Sequence, residues 1–169
     1  KTYVIPGNHD ESFLRDVGYN IVRDICQSRD DMIYTEPGRN FKVKNVPICL
    51  IHPTGGCSYS VSYRPQKIVE NMTNMMMSRL KIEKDLSIIP ALVAFGHWHK
   101  SVFLPYAGMS VLSVPCLQAV TPYLRDKGLA PDLGMFIVTM EFDDKWNLTK
   151  VVPDLRIMNA YIKEKDYLL

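Results

Sequence analysis

An α/β fold with mixed sheets faced by helices is what this sequence predicts, on three observations. Short β-rich runs alternate with stretches of helical periodicity through residues 2–99. The early apolar runs stop abruptly in polar residues, as strands do where they end at a working edge of a sheet. Beyond residue 101 the pattern becomes a series of hairpins, which implies an antiparallel stretch. The composition, 47% hydrophobic and 22% charged, excludes the fibrous and disordered classes.

Residues 2–5 read as a strand stopped by Pro6-Gly7, so Gly7-Asn8-His9-Asp10 falls on a turn at its C-terminal end. Across residues 11–27, Phe13, Leu14, Val17, Ile21, Val22 and Ile25 recur at helical spacings and predict one amphipathic helix, with Asp10 or Ser12 near its cap and Gly18 inside it. Residues 32–35 and 41–44 read as short strands around the turn Glu36-Pro37-Gly38-Arg39, and residues 47–51 as a buried strand ending at His52-Pro53.

The Gly-containing loop Thr54-Gly55-Gly56-Cys57-Ser58-Tyr59-Ser60 leads to a second helix, from Arg64 or Pro65 to about residue 83. Its apolar stripe is Ile68, Met72, Met75, Met76 and Leu80 with Arg79, and the run Met75-Met76-Met77 fits core packing because thioethers fill irregular gaps. The apolar run from Ile88 to Val93 continues through Ala94-Phe95 as a central strand and delivers Gly96-His97-Trp98-His99 at its end. Residues 102–104, 110–114, 135–142 and 148–152 follow as strands, with turns at Tyr106-Ala107-Gly108 and Asp143-Asp144-Lys145; the tail, residues 159–169, is ambiguous.

At 169 residues the chain holds one domain with a sizeable core and is short for two, so residues 1–169 are read as a single domain. A net charge of +2 gives no strong field for nucleic acid or a membrane surface. Cys26, Cys49, Cys57 and Cys116 show no Cys-x-x-Cys spacing, which fits reduced thiols and a cytoplasmic setting. No run approaches a membrane span, and the opening Lys1-Thr2-Tyr3-Val4-Ile5 is too short for a signal peptide. A chain that opens inside a strand, with no initiator Met, reads as part of something longer.

All four histidines fall at the C-terminal ends of expected strands, the usual place for ligands in α/β sheets. In extended backbone His97 and His99 would face one side with Trp98 on the other, their Cβ atoms about 6 to 7 Å apart. That spacing serves one ion, or two ions about 3.5 to 4 Å apart. The glycine before His97 leaves room for close approach of whatever sits there.

Three blocks, Gly7-Asn8-His9-Asp10, His52 and Gly96-His97-Trp98-His99, resemble in kind and order the last three motifs of the calcineurin-like metallophosphoesterases, over roughly residues 2–115. The resemblance implies a four-layer α/β sandwich, two mixed sheets flanked by helices, here lacking its N-terminal strands. It implies metal-dependent phosphoester hydrolysis by a two-metal site and a bridging hydroxide, the ions being manganese, iron or zinc. Asn8, His52 and His97 would bind one ion and His99 the other. His9 would be catalytic and not a ligand, protonating the leaving oxygen and oriented by Asp10. The family's Asp-x-His and Gly-Asp, which precede these blocks, are absent, so the expectation is about half a site, one metal position at most well formed, and little activity from the chain alone.

An open sheet edge beside residues 2–5 would then favour aggregation or self-association. The expected partner is a phosphoester substrate, with no membrane. Two other readings stay in view: a non-catalytic binding subunit, since some relatives keep the fold and lose the metals, and a nuclease acting on DNA ends, which the near-neutral charge does not support. Thr54, Gly55, Gly56 and Tyr59 either line the cleft or form an ordinary loop. Gln118, Thr121 and Tyr123 lie where relatives place a phosphate-contacting loop, although Ser113-Val114-Pro115-Cys116 stands in place of the usual Asn-x-Gly-Ser. Arg64 and Lys67 either meet phosphate or sit on a solvated helix start.

Overall fold

The structure is a computed structural model that describes residues 1–56, 58–83 and 89–158; Cys57, Ile88 and the tail of residues 159–169 lie outside the described residues. It is a mixed α/β architecture with several sheets and helices.

The chain begins with a strand-helix-strand unit. β1 (Thr2–Val4) pairs in parallel with β2 (Met32–Tyr34), and the connection holds α1 (Asn8–Val17) and α2 (Ile21–Gln27). Two helices stand where the periodicity predicted one. Gly18 takes a left-handed conformation, φ 74°, and its N–H closes onto the Leu14 carbonyl, a helix stop that a residue with a Cβ adopts only at a cost. Asn20 then caps α2 by accepting from the Arg23 N–H. The apolar positions Phe13, Leu14, Val17 and Ile25 are all exposed to solvent, so the stripe is present without the burial expected of it.

The main sheet has the order β3-β4-β5-β7-β6, with β3 (Asn40–Val43), β4 (Val46–Ile51), β5 (Leu92–Phe95), β6 (Val102–Tyr106) and β7 (Met109–Ser113). β4, β5 and β7 run parallel, and β3 and β6 are antiparallel to their neighbours. The three parallel strands are nearly continuous in apolar residues because both of their faces are covered. Alternate side chains divide between two cores. Cys49, Val93, Phe95, Met109 and Val111 face one way, and Val46, Ile48, Leu92 and Leu112 face the other.

The first of these faces receives α3 (Tyr63–Glu83) through Ile68, Val69 and Met72. Phe95 is fully buried there, which contributes about 1.5–3 kcal/mol. The methionine run is a correction to the sequence reading: Met75 and Met77 are exposed, because the buried stripe set by Val69 and Met72 passes between them. The second face receives a long antiparallel hairpin, β8 (Gly134–Phe142) and β9 (Leu148–Ile157), through Phe136, Val138, Met140, Phe142, Leu148 and Val151. Gly134 belongs to the crossing, since a Cβ there would run into the Arg156 carbonyl.

Among the described residues, then, three layers stack here: α3, the five-stranded sheet and the hairpin. The outer face of the hairpin leaves Met135, Ile137 and Leu155 exposed, and the helical fourth layer of the expected sandwich is not among the described residues. β1 pairs with β2 alone, while Tyr3 stacks on Phe41 of β3 at 4.2 Å between ring centroids and brings the small sheet against the large one. A short helix, α4 (Pro122–Asp126), breaks the stretch between β7 and β8; the sequence reading had treated it as loop.

Candidate metal centre

The carboxyl ends of β1, β4 and β5 open on one side, and each is followed by a histidine-bearing segment. After β1, Pro6 and an extended Gly7 lead directly into α1, so Asn8 and His9 occupy the first helical turn. Asp10 accepts a hydrogen bond from the Gly7 N–H at 2.8 Å, the acidic half of a capping box; glycine has no side chain to return the other half. The Asp10 carboxylate is engaged by backbone and acts electrostatically on His52; among the described residues no hydrogen bond joins it to the His9 ring.

After β5 the backbone leaves the extended conformation at once. His97 and His99 have φ of 76° and 55°, so the extended spacing expected for them does not hold. Trp98, between the two, is 8% exposed; it packs beside Phe95 in the core and donates from its indole N–H to the Gly55 carbonyl at 3.3 Å. Turning an indole inward and an imidazole outward at successive residues is what the two left-handed positions achieve, at about 1 kcal/mol or more each.

The loop is clamped from a distance by Asp132. Its N–H donates to the His99 carbonyl at 2.8 Å, one carboxylate oxygen accepts from both the N–H and the hydroxyl of Ser101 at 2.7 Å, and the other faces the Lys100 ammonium at 3.2 Å. Nothing in the sequence pattern marks Asp132, a lone carboxylate among Leu129, Ala130, Pro131 and Leu133, 31 residues from Ser101.

His52, at the end of β4, stands between the two glycine-led motifs. A Cβ on Gly7 would lie 3.1 Å from His52 Cε1, and one on Gly96 3.0 Å from its Nδ1. Both glycines are therefore needed for close approach of this ring. Held there, His52 Nε2 lies 2.8 Å from Asn8 Oδ1 and 3.2 Å from His97 Nδ1, and His97 Nδ1 is 3.2 Å from the same Asn8 oxygen.

Three lone-pair atoms thus form a small triangle. A proton can bridge only one pair at a time, whereas a cation above the triangle satisfies all three. Bonds of about 2.1 Å at right angles put neighbouring donors about 3.0 Å apart, and bonds at the tetrahedral angle about 3.4 Å apart. The observed sides, 2.8, 3.2 and 3.2 Å, lie close to these two arrangements. Two imidazoles and an amide oxygen carry no charge, and among the described residues no group of three His, Cys, Asp or Glu side chains is arranged to hold a metal. An ion here would depend on anionic ligands from elsewhere, a bound phosphate included.

Desolvation lowers the pKa of His52, with His97 adding to the effect and Asp10 opposing it; desolvation and then His97 and His9 lower that of His99. All four histidines line one cleft of about 510 Å³. Of the residues left open by the sequence, Gly55, Gly56, Gln118 and Tyr123 line it too. Tyr59 points fully into solvent, Thr121 caps α4, Arg64 reaches toward the Thr54 carbonyl and Lys67 pairs with Glu70.

No protein-family model and no curated protein matches this chain. Among solved structures it is similar to a Thermotoga maritima protein determined in solution by NMR, at 18% identity and TM-score 0.31, over 71% of this chain and 53% of that one. The chain spans about half the length of that protein. It is also similar to Vps29 from Entamoeba histolytica. A single mutant gives 14% identity and TM-score 0.38, and a double mutant 13% and 0.42, each over 94% of this chain and 83% of that one. No helix among the described residues is long and apolar enough to cross a membrane.

Proposed function

We propose that this chain belongs to the calcineurin-like metallophosphoesterases and contributes to metal-dependent hydrolysis of a phosphoester. The observation that supports this reading above all is the triangle of Asn8 Oδ1, His52 Nε2 and His97 Nδ1, with sides of 2.8, 3.2 and 3.2 Å. These three side chains would hold one divalent ion, manganese, iron or zinc, and His99 would contribute to a second. Such ions, when bound, neutralise phosphoryl oxygens and make an attacking water more acidic.

The chain's own residues supply the rest. The α1 N-terminus, with free N–H groups beside Asn8 and His9, favours an anion in the cleft. Once a water has released a proton to solvent, the resulting hydroxide would join phosphorus as the ester P–O bond breaks, and His9 would give a proton to the departing oxygen, a task suited to imidazole as a class. Asp10 serves this through the backbone: by tying down Gly7 it fixes the helical turn that carries both Asn8 and His9.

Titration calorimetry with manganese tests the assignment. We expect about one ion per chain at the stronger site, binding lost in a His52→Ala/His97→Ala variant and metal content unchanged in His9→Ala; in a full-length enzyme the His9→Ala change should lower turnover of poor leaving groups by about two to four orders of magnitude. Manganese binding indifferent to His52 and His97 would remove the basis of the reading. A second reading, a non-catalytic binding subunit, is favoured by the exposed apolar row Phe13, Leu14, Val17 and Ile25; metal binding by the triangle with no hydrolysis of any phosphoester would select it.

A further inference from the structure

The cleft is larger than its nitrogen-bearing floor requires, and one wall is of different chemistry. At about 510 Å³ it falls in the range of sites that hold small organic ligands. A phosphoryl group fills only a part of such a volume. Beside the histidines, the same cleft is lined by Tyr123, Leu124, Leu129, Ala130 and Pro131. Two of these are large and open to solvent, Tyr123 at 68% and Leu129 at 44%.

The wall is built into the fold. Thr121 accepts from the Leu124 N–H, Pro122 occupies the first turn of α4, Gly128 turns the chain with φ of 66°, and the Leu129 N–H returns to the Leu124 carbonyl at 2.8 Å. Tyr123, Leu124 and Leu129 are thereby held as one surface. Among the described residues positive charge at the cleft is sparse: no arginine lines it, Lys100 is already paired with Asp132, and Lys127 lies over the Tyr123 ring at 6.0 Å. That balance suits one phosphoryl group, and not a polyphosphate or a nucleic-acid backbone.

We propose that the cleft takes a small phosphoester with a single phosphoryl group and a flat, apolar ester group of the aryl type, the phosphoryl end at Asn8, His52 and His97 and the ring against Tyr123 and Leu129. This rests on the phosphoester reading above and adds the substrate class to it. Aromatic and aliphatic side chains facing water across a narrow cleft gain from being covered by a ring.

The test is equilibrium binding to the manganese-loaded chain of two probes that resist hydrolysis, methylphosphonate and phenylphosphonate. Phenylphosphonate should bind about tenfold tighter or more, the gain from covering one face of a ring. Leu129→Ser and, separately, Tyr123→Ser should each remove most of that advantage and leave methylphosphonate unchanged; both positions are exposed enough for the fold to survive the change. Equal affinity for the two probes in the wild-type chain would overturn the aryl assignment and leave the phosphoester reading standing. Failure of both probes to bind a folded, metal-loaded chain would overturn that reading, and this inference with it.

Discussion

Two segments present ligands to the cleft, and they are held in opposite ways. Gly7-Asn8-His9-Asp10 is secured by its neighbours in sequence: the segment is the first turn of a helix, every residue has ordinary dihedrals, and its closing bond spans three residues. Gly96-His97-Trp98-His99 is secured from far away. Two of its four residues sit in the left-handed region, and they are kept there by an indole buried in the core and by a carboxylate at Asp132. Local chemistry suffices for the first segment, while the second exists only because the rest of the molecule has folded around it.

The comparison can be broken at its strongest point by Trp98→Ala. We expect a loss of about 3–5 kcal/mol in denaturant-induced unfolding, as for removal of a buried aromatic side chain, with manganese affinity falling as His97 loses its fixed position. A stability loss below about 1 kcal/mol would mean that the indole does not anchor the segment. The two carboxylates sharpen the contrast at smaller scale. Asp132→Ala should cost about 1–2 kcal/mol because it releases the Ser101 N–H, the Ser101 hydroxyl and the Lys100 ammonium together. Asp10→Ala should cost about 0.5–1 kcal/mol, the ordinary effect of a lost cap. Thermal melts of the pair decide the order, and the reverse ranking would contradict the division into tertiary and local support.

The mildest probe is pH. In the metal-free chain burial holds both His52 and His99 below the ordinary imidazole range. The unfolded chain therefore takes up these protons first. Stability should be complete above the unfolded imidazole value of about 6.5 and decline as pH falls from there through the lower folded values. Urea midpoints measured across this window check it, and a midpoint that rises on acidification would contradict the burial of the two rings.

The same contrast explains what was legible in the sequence. Strand ends carrying Asn8, His52 and His97 could be read from apolar runs broken by polar residues, because that pattern expresses burial directly. The glycine before His97 announced a close approach, though not that the approaching group is the His52 ring, and the one before Asn8 read only as a turn. The left-handed turns at His97 and His99 could not be read, since local preference opposes them and only Trp98 and Asp132 enforce them. Asp132 itself has no periodicity to betray it. α4 was missed because five residues are too few to show a helical period, and the single helix expected over residues 11–27 was split by one glycine whose conformation, and not its mere presence, decides.

The segment between β7 and β8 leaves and re-enters the sheet at one place. Cys116 bridges to Leu133, its N–H donating to the Asp132 carbonyl and its own carbonyl accepting from Gly134. Residues 117–132 are thus an excursion pinched shut at its base, and they carry the apolar wall of the cleft while the histidine floor comes from other strands. An insertion or exchange confined to residues 117–131 changes what the cleft can grip and leaves its chemistry in place. The architecture separates preference from reactivity along the chain, which gives descendants of this protein a way to acquire new ligands one loop at a time.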